Sequence, residues 1–456
     1  MAQKASIPKG TRDFLPAEVA KRSYVTDVIR TQFQRYGFLP IQTPAMEKSS
    51  TLKGKYGDEG DRLMFNILNS GEKVKKADFN ALEKNALGQF TSSISDKALR
   101  YDLTVPFARF VVQHQNEIAF PFKRYQIQSV WRADRPQRGR FQEFTQCDAD
   151  IVGSVSPLLE AECMQLFDDV FNALSLEGAT IRINHRAILA GIANYLDAPD
   201  RIVDFTVALD KLDKIGTEGV FAELRNKGFD DAALNRLSPM FELSGDIISQ
   251  LDQLEEILAS QPNALEGIAH LRQTLSFLSP LKVSQLAFDL TLARGLNYYT
   301  GIIFEVAPPN AVAIGSLGAG GRYDDLTAVF GLLDMHGLGI SFGLDRLCIV
   351  LEELNLFPHT LEQAVDIVVL HFGDSYIQDL IPYFAKWRDM GIRINCYPLA
   401  HKLKKQMQFA NQTQAPWVIF YGNDEQQKGI VSLKNMHDGT NSEIKLEDFS
   451  KKFVTH

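Results

Sequence analysis

The hydrophobic residues near the start of the chain recur at helical spacing. Between residues 18 and 36 they repeat at close to one helical turn, which predicts an amphipathic helix that Gly37 ends. One face of that helix carries Val19, Tyr24, Val28, Ile29 and Phe33. Further helices are predicted within residues 98–115 and at 158–176, whereas the polar stretch 69–97 is predicted to be rich in loops.

The middle of the chain combines a long helical segment with a return to strands. From about residue 195 to 280 the hydrophobic spacing is helical. At 283–293 hydrophobic residues alternate with smaller or polar ones, which predicts a strand. The glycine-rich segment GSLGAGGRYDD follows at 315–325, and an apolar helix is predicted at about 341–354.

After Pro358 short strands and helices alternate. Strands are predicted at 365–370, 392–397, 417–421 and 429–434, and helices at 376–389 and 401–412. This alternation predicts a compact α/β domain with a largely parallel sheet. The length of 456 residues exceeds what one hydrophobic core normally supports, so two or three domains are expected.

Two strands predicted at 122–132 and 141–152 enclose the loop ADRPQRGR and have an unusual polar face. Side chains alternate across a strand. The polar face of the first strand carries Gln126, Gln128 and Arg132, and its other face carries Tyr125, Ile127 and Trp131. One face of the second strand carries Gln142, Phe144, Gln146 and Asp150. Such a face is a poor core, and it fits the floor of a small-molecule site.

Composition narrows the class of protein. With 45% hydrophobic and 23% charged residues, the chain has an ordinary globular mixture. The opening MAQKASIPKGTRDFLP lacks the apolar core of an export signal, and no apolar run approaches the ~20 residues of a membrane helix. The four cysteines lie far apart and no histidine pair has metal-ligand spacing. A disulfide framework and a protein-bound metal are therefore disfavoured, and a reducing cytosol fits.

Charge is unevenly distributed along the chain. Residues 195–280 contain 15 acidic and 7 basic side chains, a net charge of −8, which equals that of the whole chain. Residues 122–142 contain 6 basic side chains and 1 acidic one, a net charge of +5. Arg135, Arg138 and Arg140 lie in the loop of this basic segment, and a guanidinium suits phosphate because its planar fork donates two parallel hydrogen bonds. The segment fits either a phosphate site or a solvated surface hairpin.

Arg294 is a second candidate for binding an anion. If the strand predicted before it continues, Arg294 lies on the apolar face of Leu290 and Leu292, where an unpaired charge costs several kcal/mol. Its partner is either an acidic side chain or an anionic ligand, and the neighbouring Tyr298 and Tyr299 make a ligand competitive. The glycines of GSLGAGGRYDD match neither the dinucleotide-binding nor the P-loop pattern.

Five stretches resemble the histidyl-tRNA synthetase family of class II aminoacyl-tRNA synthetases in order and spacing. They are LRYDLTVPFARF (99–110), VWRADRPQRGRFQEFTQCDADIVG (130–153), LARGLNYYTG (292–301), AGGRYDDL (319–326) and GISFGLDRL (339–347). The C-terminal α/β stretch resembles the anticodon-binding domain of that family. Five long motifs in register make the resemblance specific.

The resemblance implies an α+β class II catalytic domain, with an antiparallel sheet flanked by helices, and three further features of organisation. The catalytic domain is divided between 1–194, with motifs 1 and 2, and 281–358, with the histidine motifs and motif 3. A helical insertion at 195–280 separates the two parts. An α/β anticodon-binding domain follows at 364–456.

The resemblance also implies an activity and partners. The enzyme would activate L-histidine with ATP to histidyl-adenylate and pyrophosphate, and then transfer histidine to the 3′ end of its tRNA. ATP is a substrate, and Mg²⁺ would bind through its phosphates and not at a metal site of the protein. The expected state is a cytoplasmic homodimer without membrane attachment, with Pro44 matching the motif 1 proline of the dimer interface.

Individual residues match positions with known roles in the family. Arg132 and Arg294 are implied to be catalytic, because both match cations at the α-phosphate. The residues implied to bind histidine are Asp102, Thr104, Gln146, Asp150, Tyr298, Tyr299 and Tyr323. Those implied to bind ATP are Arg132, Asp134, Arg140, Phe144 and Arg346. Those implied to contact tRNA are Arg135, Gln137, Arg138, Lys402, Lys404 and Lys405.

Two other functions remain to be distinguished. One is a non-catalytic, synthetase-like regulatory subunit of histidine biosynthesis, which shares the catalytic fold but usually lacks the anticodon domain and the arginine at position 294. The other is a different class II synthetase, such as the prolyl or threonyl enzyme. The motif LARGLNYYTG and the C-terminal domain favour a histidyl enzyme over both.

Overall fold

The computed structural model describes residues 4–209, 211–281, 283, 285–293 and 298–449. These residues form two compact units. The first unit holds Val25–Leu356 together with the N-terminal residues up to Asp13. The second holds Phe14–Tyr24 together with the chain from Phe357 onwards.

Helices occur along the whole described chain. In chain order they are α1 (Pro16–Arg35), α2 (Ser49–Leu52), α3 (Gly57–Arg62), α4 (Phe79–Glu83), α5 (Leu87–Ile94), α6 (Thr104–His114), α7 (Pro157–Ala173), α8 (Arg186–Tyr195), α9 (Ile202–Leu209), α10 (Leu212–Asn226), α11 (Asp231–Leu237), α12 (Ile247–Ile257), α13 (Pro262–Leu278), α14 (Leu344–Glu353), α15 (Asp374–Asp389), α16 (Leu403–Gln412) and α17 (Asn423–Lys428). Among the described helices, none combines the length and the apolar character that crossing a bilayer requires.

Strands form three sheets. In chain order they are β1 (Leu39–Pro40), β2 (Met46–Lys48), β3 (Asn66–Ile67), β4 (Lys97–Leu99), β5 (Phe122–Trp131), β6 (Glu143–Val152), β7 (Thr180–His185), β8 (Leu286–Phe288), β9 (Ile302–Ala307), β10 (Gly318–Tyr323), β11 (Gly337–Gly343), β12 (Ile367–His371), β13 (Ile394–Cys396), β14 (Trp417–Tyr421), β15 (Ile430–Asn435) and β16 (Asn441–Lys445).

The first unit is built on an eight-stranded sheet in the order β1-β5-β6-β11-β10-β9-β7-β8. Its inner pairings, from β5 through to β7, are antiparallel, and the edge strands β1 and β8 pair in parallel. A small sheet in the order β2-β4-β3 lies in the same unit. The expected class II architecture, a mostly antiparallel sheet flanked by helices, is therefore confirmed.

The sheet of the first unit has an apolar face and a polar one, as strand alternation predicts. On the apolar face the ring of Phe342 on β11 lies 4.8 Å from that of Phe167 on α7 and 5.9 Å from that of Phe33 on α1. Tyr125 on β5 lies 5.6 Å from Phe33. Helices α1 and α7 thus cover this face, and the opposite face is left for polar side chains.

Local sequence signals explain where the helices begin. The Ser156 hydroxyl accepts the N–H of Leu158 at the start of α7, where Pro157 occupies the first turn. In the segment 195–280, the Asp230 carboxylate caps α11 and the Asp246 carboxylate caps α12. The helical character predicted for this segment is confirmed by α9 to α13.

Two predictions for the first unit are wrong. The stretch 69–97 is not rich in loops, because it contains a 3-10 turn at Gly71–Lys76 and the short helices α4 and α5. The strand predicted at 283–293 ends at Phe288, and a turn follows in which the Asp289 carboxylate accepts the N–H and hydroxyl of Thr291. Because the strand ends before residue 294, the alternation of side chains along it no longer predicts on which face Arg294 lies. Arg294 itself lies outside the described residues.

The second unit contains a five-stranded sheet in the order β13-β12-β14-β15-β16. β12 pairs in parallel with β13 and β14, whereas β15 and β16 are antiparallel additions. The predicted α/β character is confirmed, but the sheet is mixed and not largely parallel. The pattern missed α17 and β16, because polar residues dominate both.

A buried histidine makes the stability of the first unit depend on pH. His185 is 6% exposed, and its Nδ1 accepts the N–H of Ala187 at 3.1 Å, which caps α8. Burial lowers the pKa of His185 to about 4, and the charges of His270 and Arg322 act in the same direction. The folded protein therefore holds this imidazole neutral where the unfolded chain, with a pKa of about 6.5, takes up a proton.

We expect His185→Asn to reduce the acid sensitivity of the protein. The unfolded state binds more protons between pH 6.5 and 4, so stability falls as the pH falls through this window, by about 2 kcal/mol at pH 5 from this group. Asparagine retains a capping acceptor and does not titrate. The measurement is Tm at pH 7.5 and pH 5.0 for both proteins. Equal losses of Tm would show that His185 is not responsible.

Candidate functional site

An open cavity of about 370 Å³ lies in the first unit, over the polar face of the large sheet. Its wall combines side chains from β6, β10 and β11 with the loops around them. Twelve of the sequence-predicted site residues line it: Asp102, Thr104, Arg132, Asp134, Arg140, Phe144, Gln146, Asp150, Tyr298, Tyr299, Tyr323 and Arg346. Side chains separated by up to 244 positions along the sequence thus meet in one place.

The residues predicted to contact tRNA do not line this cavity. Arg135, Gln137 and Arg138 are exposed in the loop between β5 and β6, and Arg138 forms an ion pair with Glu353. The three lysines predicted to contact tRNA, Lys402, Lys404 and Lys405, are exposed on the second unit. Arg294 lies outside the described residues.

The two glutamines on the polar face of β5 form hydrogen bonds outside the cavity. Gln126 donates to the hydroxyl of Thr43 at 2.8 Å, and Gln128 accepts from Arg100 at 3.2 Å. Arg100 also donates to the carbonyl of Thr43 at 2.7 Å. The floor of the cavity is therefore formed by β6 and β11, and the two glutamines lie under the segment around Thr43.

One end of the cavity is cationic. Arg132 donates through Nε to the carbonyl of Tyr101 at 3.0 Å, and its guanidinium lies 4.3 Å from the centre of the Tyr101 ring. Arg346 donates to the carbonyls of Gly139 and Ser316 at 3.0 and 2.7 Å. These contacts fix two guanidinium groups without neutralising them.

A third arginine, Arg140, completes this group and pairs with Asp134 at 2.8 Å. Burial lowers the pKa of Arg346, and the positive charges of Arg140 and Arg132 lower it further. An arginine does not deprotonate in a protein, so this effect is a repulsion that an anion would relieve. The cationic end is suited to a polyphosphate.

The other end is anionic and is organised around Asp102. Its Oδ1 accepts the hydroxyl of Tyr56 at 2.8 Å and the N–H of Val105 at 3.2 Å. Its Oδ2 accepts the hydroxyl of Tyr298 at 3.2 Å. Burial raises the pKa of Asp102, while the hydrogen bonds from Tyr56 and Val105 oppose that rise. A carboxylate held in this way has remaining capacity for a further donor, such as an ammonium group.

Two more buried carboxylates lie on β6 at this end. Asp150 accepts the hydroxyl of Tyr323 at 2.7 Å and forms an ion pair with Arg124 at 2.6 Å. Burial raises the pKa of Asp148 and of Asp150, and Arg124 lowers both. Asp148 Oδ1 receives no hydrogen bond from the described residues, whereas Asp150 Oδ2 is the oxygen that pairs with Arg124. Asp148 Oδ1 is therefore suited to a ligand that carries an N–H donor.

Close approach at this end requires glycine on β11. A Cβ on Gly339 would lie 2.2 Å from Asp150 Oδ1, and a Cβ on Gly337 would lie 2.1 Å from the Tyr323 ring. Leu338, which lies between them, and Ile340, which follows Gly339, point to the apolar face and are buried. The alternation of glycine with large hydrophobic residues thus makes room for the carboxylate and the tyrosine.

We expect Gly339→Ala to weaken binding at the anionic end by displacing Asp150. The backbone of Gly339 lies in an ordinary strand region, so the methyl group acts by contact and not by backbone strain. A forced side-chain shift of this kind costs about 1–3 kcal/mol, or roughly 10- to 100-fold in affinity for the amino acid. Isothermal titration calorimetry measures it. Gly88→Ala, where a Cβ meets no atom within 4 Å, is the matched control; equal affinities in both variants would contradict this role of Gly339.

Sequence reasoning missed two residues at the anionic end that its own parity rule could have found. Asp148 lies between Gln146 and Asp150 on the same face of β6, and it lines the cavity. Arg124 lies directly opposite Asp150 in the register of β5 and β6. Its side chain is fully buried, with the guanidinium 4.4 Å from the centre of the Phe107 ring.

The comparisons with known proteins agree along the whole chain. A family model described as histidyl-tRNA synthetase matches residues 89–347, and one described as anticodon binding domain matches residues 366–456. The chain is 54% identical to histidine–tRNA ligase of Christiangramia forsetii, covering 99% of each chain, and 50% identical to that of Flavobacterium johnsoniae, again covering 99% of each.

A solved structure, histidyl-tRNA synthetase from a Nostoc species, is similar as well. It superposes with a TM-score of 0.82 at 29% sequence identity, covering 99% of both chains. Sequence identity, matched family models and fold thus lead to one conclusion: the chain belongs to the histidyl-tRNA synthetase family.

Proposed function

We propose that this chain is a histidine–tRNA ligase, which joins L-histidine to ATP as histidyl-adenylate and then transfers histidine to the 3′ end of its tRNA. The observation that carries the proposal is the division of one cavity into a cationic and an anionic end. Phe144 and Asp150 are six positions apart on β6, or ~20 Å at roughly 3.3 Å per residue. That span suits a nucleotide and an amino acid placed end to end.

In the first step the histidine carboxylate attacks the α-phosphorus of ATP. A bond forms between a carboxylate oxygen and phosphorus, and the bond to the bridging oxygen breaks, so that pyrophosphate leaves with its electron pair. The carboxylate is already ionised, so no protein base is needed. Negative charge builds on the phosphoryl oxygens, and pre-placed cations supply the stabilisation.

We assign the cations by their place in the cavity and by family resemblance. Arg132 binds at the α-phosphate, and Arg140 and Arg346 bind the leaving pyrophosphate. Phe144 packs against adenine. Arg294 is a second cation at the α-phosphate on resemblance alone. Asp134 and Asp345 are the carboxylates at that end that would hold Mg²⁺ brought in with ATP, and the ion would neutralise part of the phosphate charge.

The anionic end accounts for the choice of histidine. Asp102, with Thr104 and Gln146 beside it, accepts the α-ammonium group. Asp150 accepts an imidazole N–H, and we add Asp148 as a second acceptor facing the same ring. Tyr298, Tyr299 and Tyr323 close the aromatic side of this end. An amino acid without a ring N–H would leave Asp148 Oδ1 without a donor, and a buried polar group left without its partner is a strong form of discrimination.

The remaining predictions about organisation stay proposals. They are a catalytic domain divided between 1–194 and 281–358, an insertion at 195–280, an anticodon-binding domain at 364–456, a homodimer with Pro44 at its interface, and a cytoplasmic location. Arg135, Gln137 and Arg138 are assigned to the acceptor end of the tRNA. The match to an anticodon-binding domain supports tRNA as the partner and disfavours the regulatory-subunit alternative.

We expect the triple substitution Lys402→Gln, Lys404→Gln, Lys405→Gln to weaken tRNA binding and leave histidine–ATP exchange unchanged. All three side chains are exposed at the N-terminal end of α16, where backbone N–H groups also favour phosphate. Removing one ion pair between a lysine and a tRNA phosphate lowers the salt slope of binding by ~1, so a decrease of up to ~3 is expected.

Filter binding or fluorescence anisotropy across a salt series measures this slope. The double variant Lys428→Gln, Lys445→Gln, on exposed positions of the same unit, is the control. Equal slopes for the triple variant, the control and the unchanged protein would remove α16 from the tRNA-binding surface.

The proposed function is tested by aminoacylation. The full-length protein should charge a histidine tRNA transcript with radiolabelled histidine in the presence of ATP and Mg²⁺. Formation of histidyl-adenylate without any transfer to tRNA would limit the function to activation. Absence of both would favour the regulatory-subunit alternative.

A further inference from the structure

A buried ion network lies behind the anionic end, on the side of the sheet away from the cavity. Its centre is Glu160 on α7, which is fully buried. Glu160 Oε1 accepts from Arg322 Nε at 2.6 Å, and Oε2 accepts from Thr274 Oγ1 at 2.9 Å and is 2.5 Å from His270 Nε2. Arg322 belongs to β10, whereas His270 and Thr274 belong to α13. One carboxylate thus joins three separate elements.

β10 connects this network to the cavity. Alternation places Arg322 on the opposite face from Tyr323, whose hydroxyl binds Asp150. The main-chain carbonyl of Arg322 accepts the N–H of Thr300 at 2.8 Å. The hydroxyl of Thr300 donates to Asp324 at 2.6 Å. The segment that carries Tyr298 and Tyr299 is therefore attached to Arg322 on β10 and to Asp324 just after it, the residues on either side of Tyr323.

The network is ionised and costly to disturb. Burial opposes ionisation of Glu160, but the hydrogen bond from His270 and the charge of Arg322 outweigh it, and the pKa of Glu160 lies below its usual value. Removal of one partner from a buried pair leaves the other charge uncompensated. Well-packed hydrophobic side chains would hold α7 against β10 without that cost. An ionic connection offers directional hydrogen bonds that fix the register of β10.

We propose that Glu160 and Arg322 are positioning residues for histidine: through β10 and Thr300 they hold the tyrosines of the anionic end in place, and α13 supports them through His270 and Thr274. The inference rests on the proposed function, because it assigns histidine to that end of the cavity. Neither residue lines the cavity, so each acts through Tyr298, Tyr299 and Tyr323. Helix α13 is part of the acidic segment 195–280, which is thereby coupled to affinity for the amino acid.

The experiment is histidine–ATP–pyrophosphate exchange by the full-length protein carrying Glu160→Gln, with KM measured separately for histidine and for ATP. Glutamine preserves the shape and removes the charge that faces Arg322. Removal of a buried hydrogen-bond partner corresponds to roughly tenfold in affinity. KM for histidine should rise about tenfold, and KM for ATP should stay within about twofold of its original value.

Two milder pairs of variants keep the test decisive if Glu160→Gln does not fold. Thr274→Val and Thr300→Val each remove one hydroxyl at nearly constant volume, whereas Thr274→Ser and Thr300→Ser retain it. We expect KM for histidine to rise in both valine variants and to return towards the original value in both serine variants, with Tm measured alongside.

The result that would contradict the inference differs from the one that would contradict the proposed function. If the unchanged protein exchanges with histidine, and every folded variant lowers Tm but keeps both KM values, then the network is only structural and the inference is wrong. An equal rise in both KM values would also contradict it. If the unchanged protein shows no histidine-dependent exchange, the proposed function fails first.

Discussion

Replacing Arg132 with glutamine should lower kcat for histidine-dependent ATP–pyrophosphate exchange by about 10²–10³, as removal of one oxyanion donor does in other enzymes. The guanidinium is fixed from behind by the carbonyl and ring of Tyr101, and it is turned towards the cavity. A group fixed before the reaction stabilises developing charge without reorganising. The loss should therefore appear mainly in kcat.

The matched control is Arg30→Gln. Arg30 is a partly exposed arginine on α1 that forms a surface ion pair with Asp27, and pairs of this kind contribute little to stability. Its exchange rate should equal that of the unchanged protein. A folded Arg132→Gln variant with full kcat would place the phosphate-binding cations elsewhere in the chain.

Arg294→Ala carries a parallel expectation that rests on resemblance alone. A cation at the same phosphate should again be worth about 10²–10³ in kcat. If the variant folds and retains full activity, Arg294 would be a structural ion pair, the alternative that the sequence left open. The double variant with Arg132→Gln would show whether the two arginines act on one phosphate, because their effects would then not add.

Asp150→Asn should raise KM for histidine by about 100-fold while KM for ATP changes little, because it removes a charged acceptor and disturbs a buried pair. Asp150 accepts from Tyr323 and pairs with Arg124. An amide can keep the tyrosine bond, but it then turns an N–H₂ group towards a fully buried guanidinium. Histidine would lose its acceptor, and Arg124 would lose its countercharge.

KM for ATP serves as the internal control, since the nucleotide lies at the cationic end. Asp252→Asn, an exposed carboxylate paired with Arg272, controls for the substitution itself. An unchanged KM for histidine in Asp150→Asn would transfer imidazole recognition to Asp148 or to Tyr299.

Much of this site could be predicted from strand parity and from motifs together. The alternation of side chains along β6 predicts Phe144, Gln146 and Asp150 on one face, and all three line the cavity. The same alternation places Arg124 on the face of Gln126 and Asp148 on the face of Gln146 and Asp150. Parity could not show that Gln126 and Gln128 would be engaged by Thr43 and Arg100, since those contacts come from distant parts of the chain.

Other features needed three-dimensional contacts. The glycines at 337 and 339 match no nucleotide-binding pattern, and their role became visible only with Tyr323 and Asp150 beside them. The alternation at 283–293 overestimated a strand, because Asp289 forms a local turn that competes with the ladder. The short helices of the stretch 69–97 form despite a polar sequence, and a pattern of hydrophobic positions carries little information there.

The central claim, that the anionic end selects histidine for adenylation at the cationic end, is tested most directly by ATP–pyrophosphate exchange measured with each of the twenty amino acids. We expect exchange with histidine and only background with the other nineteen. Exchange with proline or threonine at a rate equal to that with histidine would contradict it.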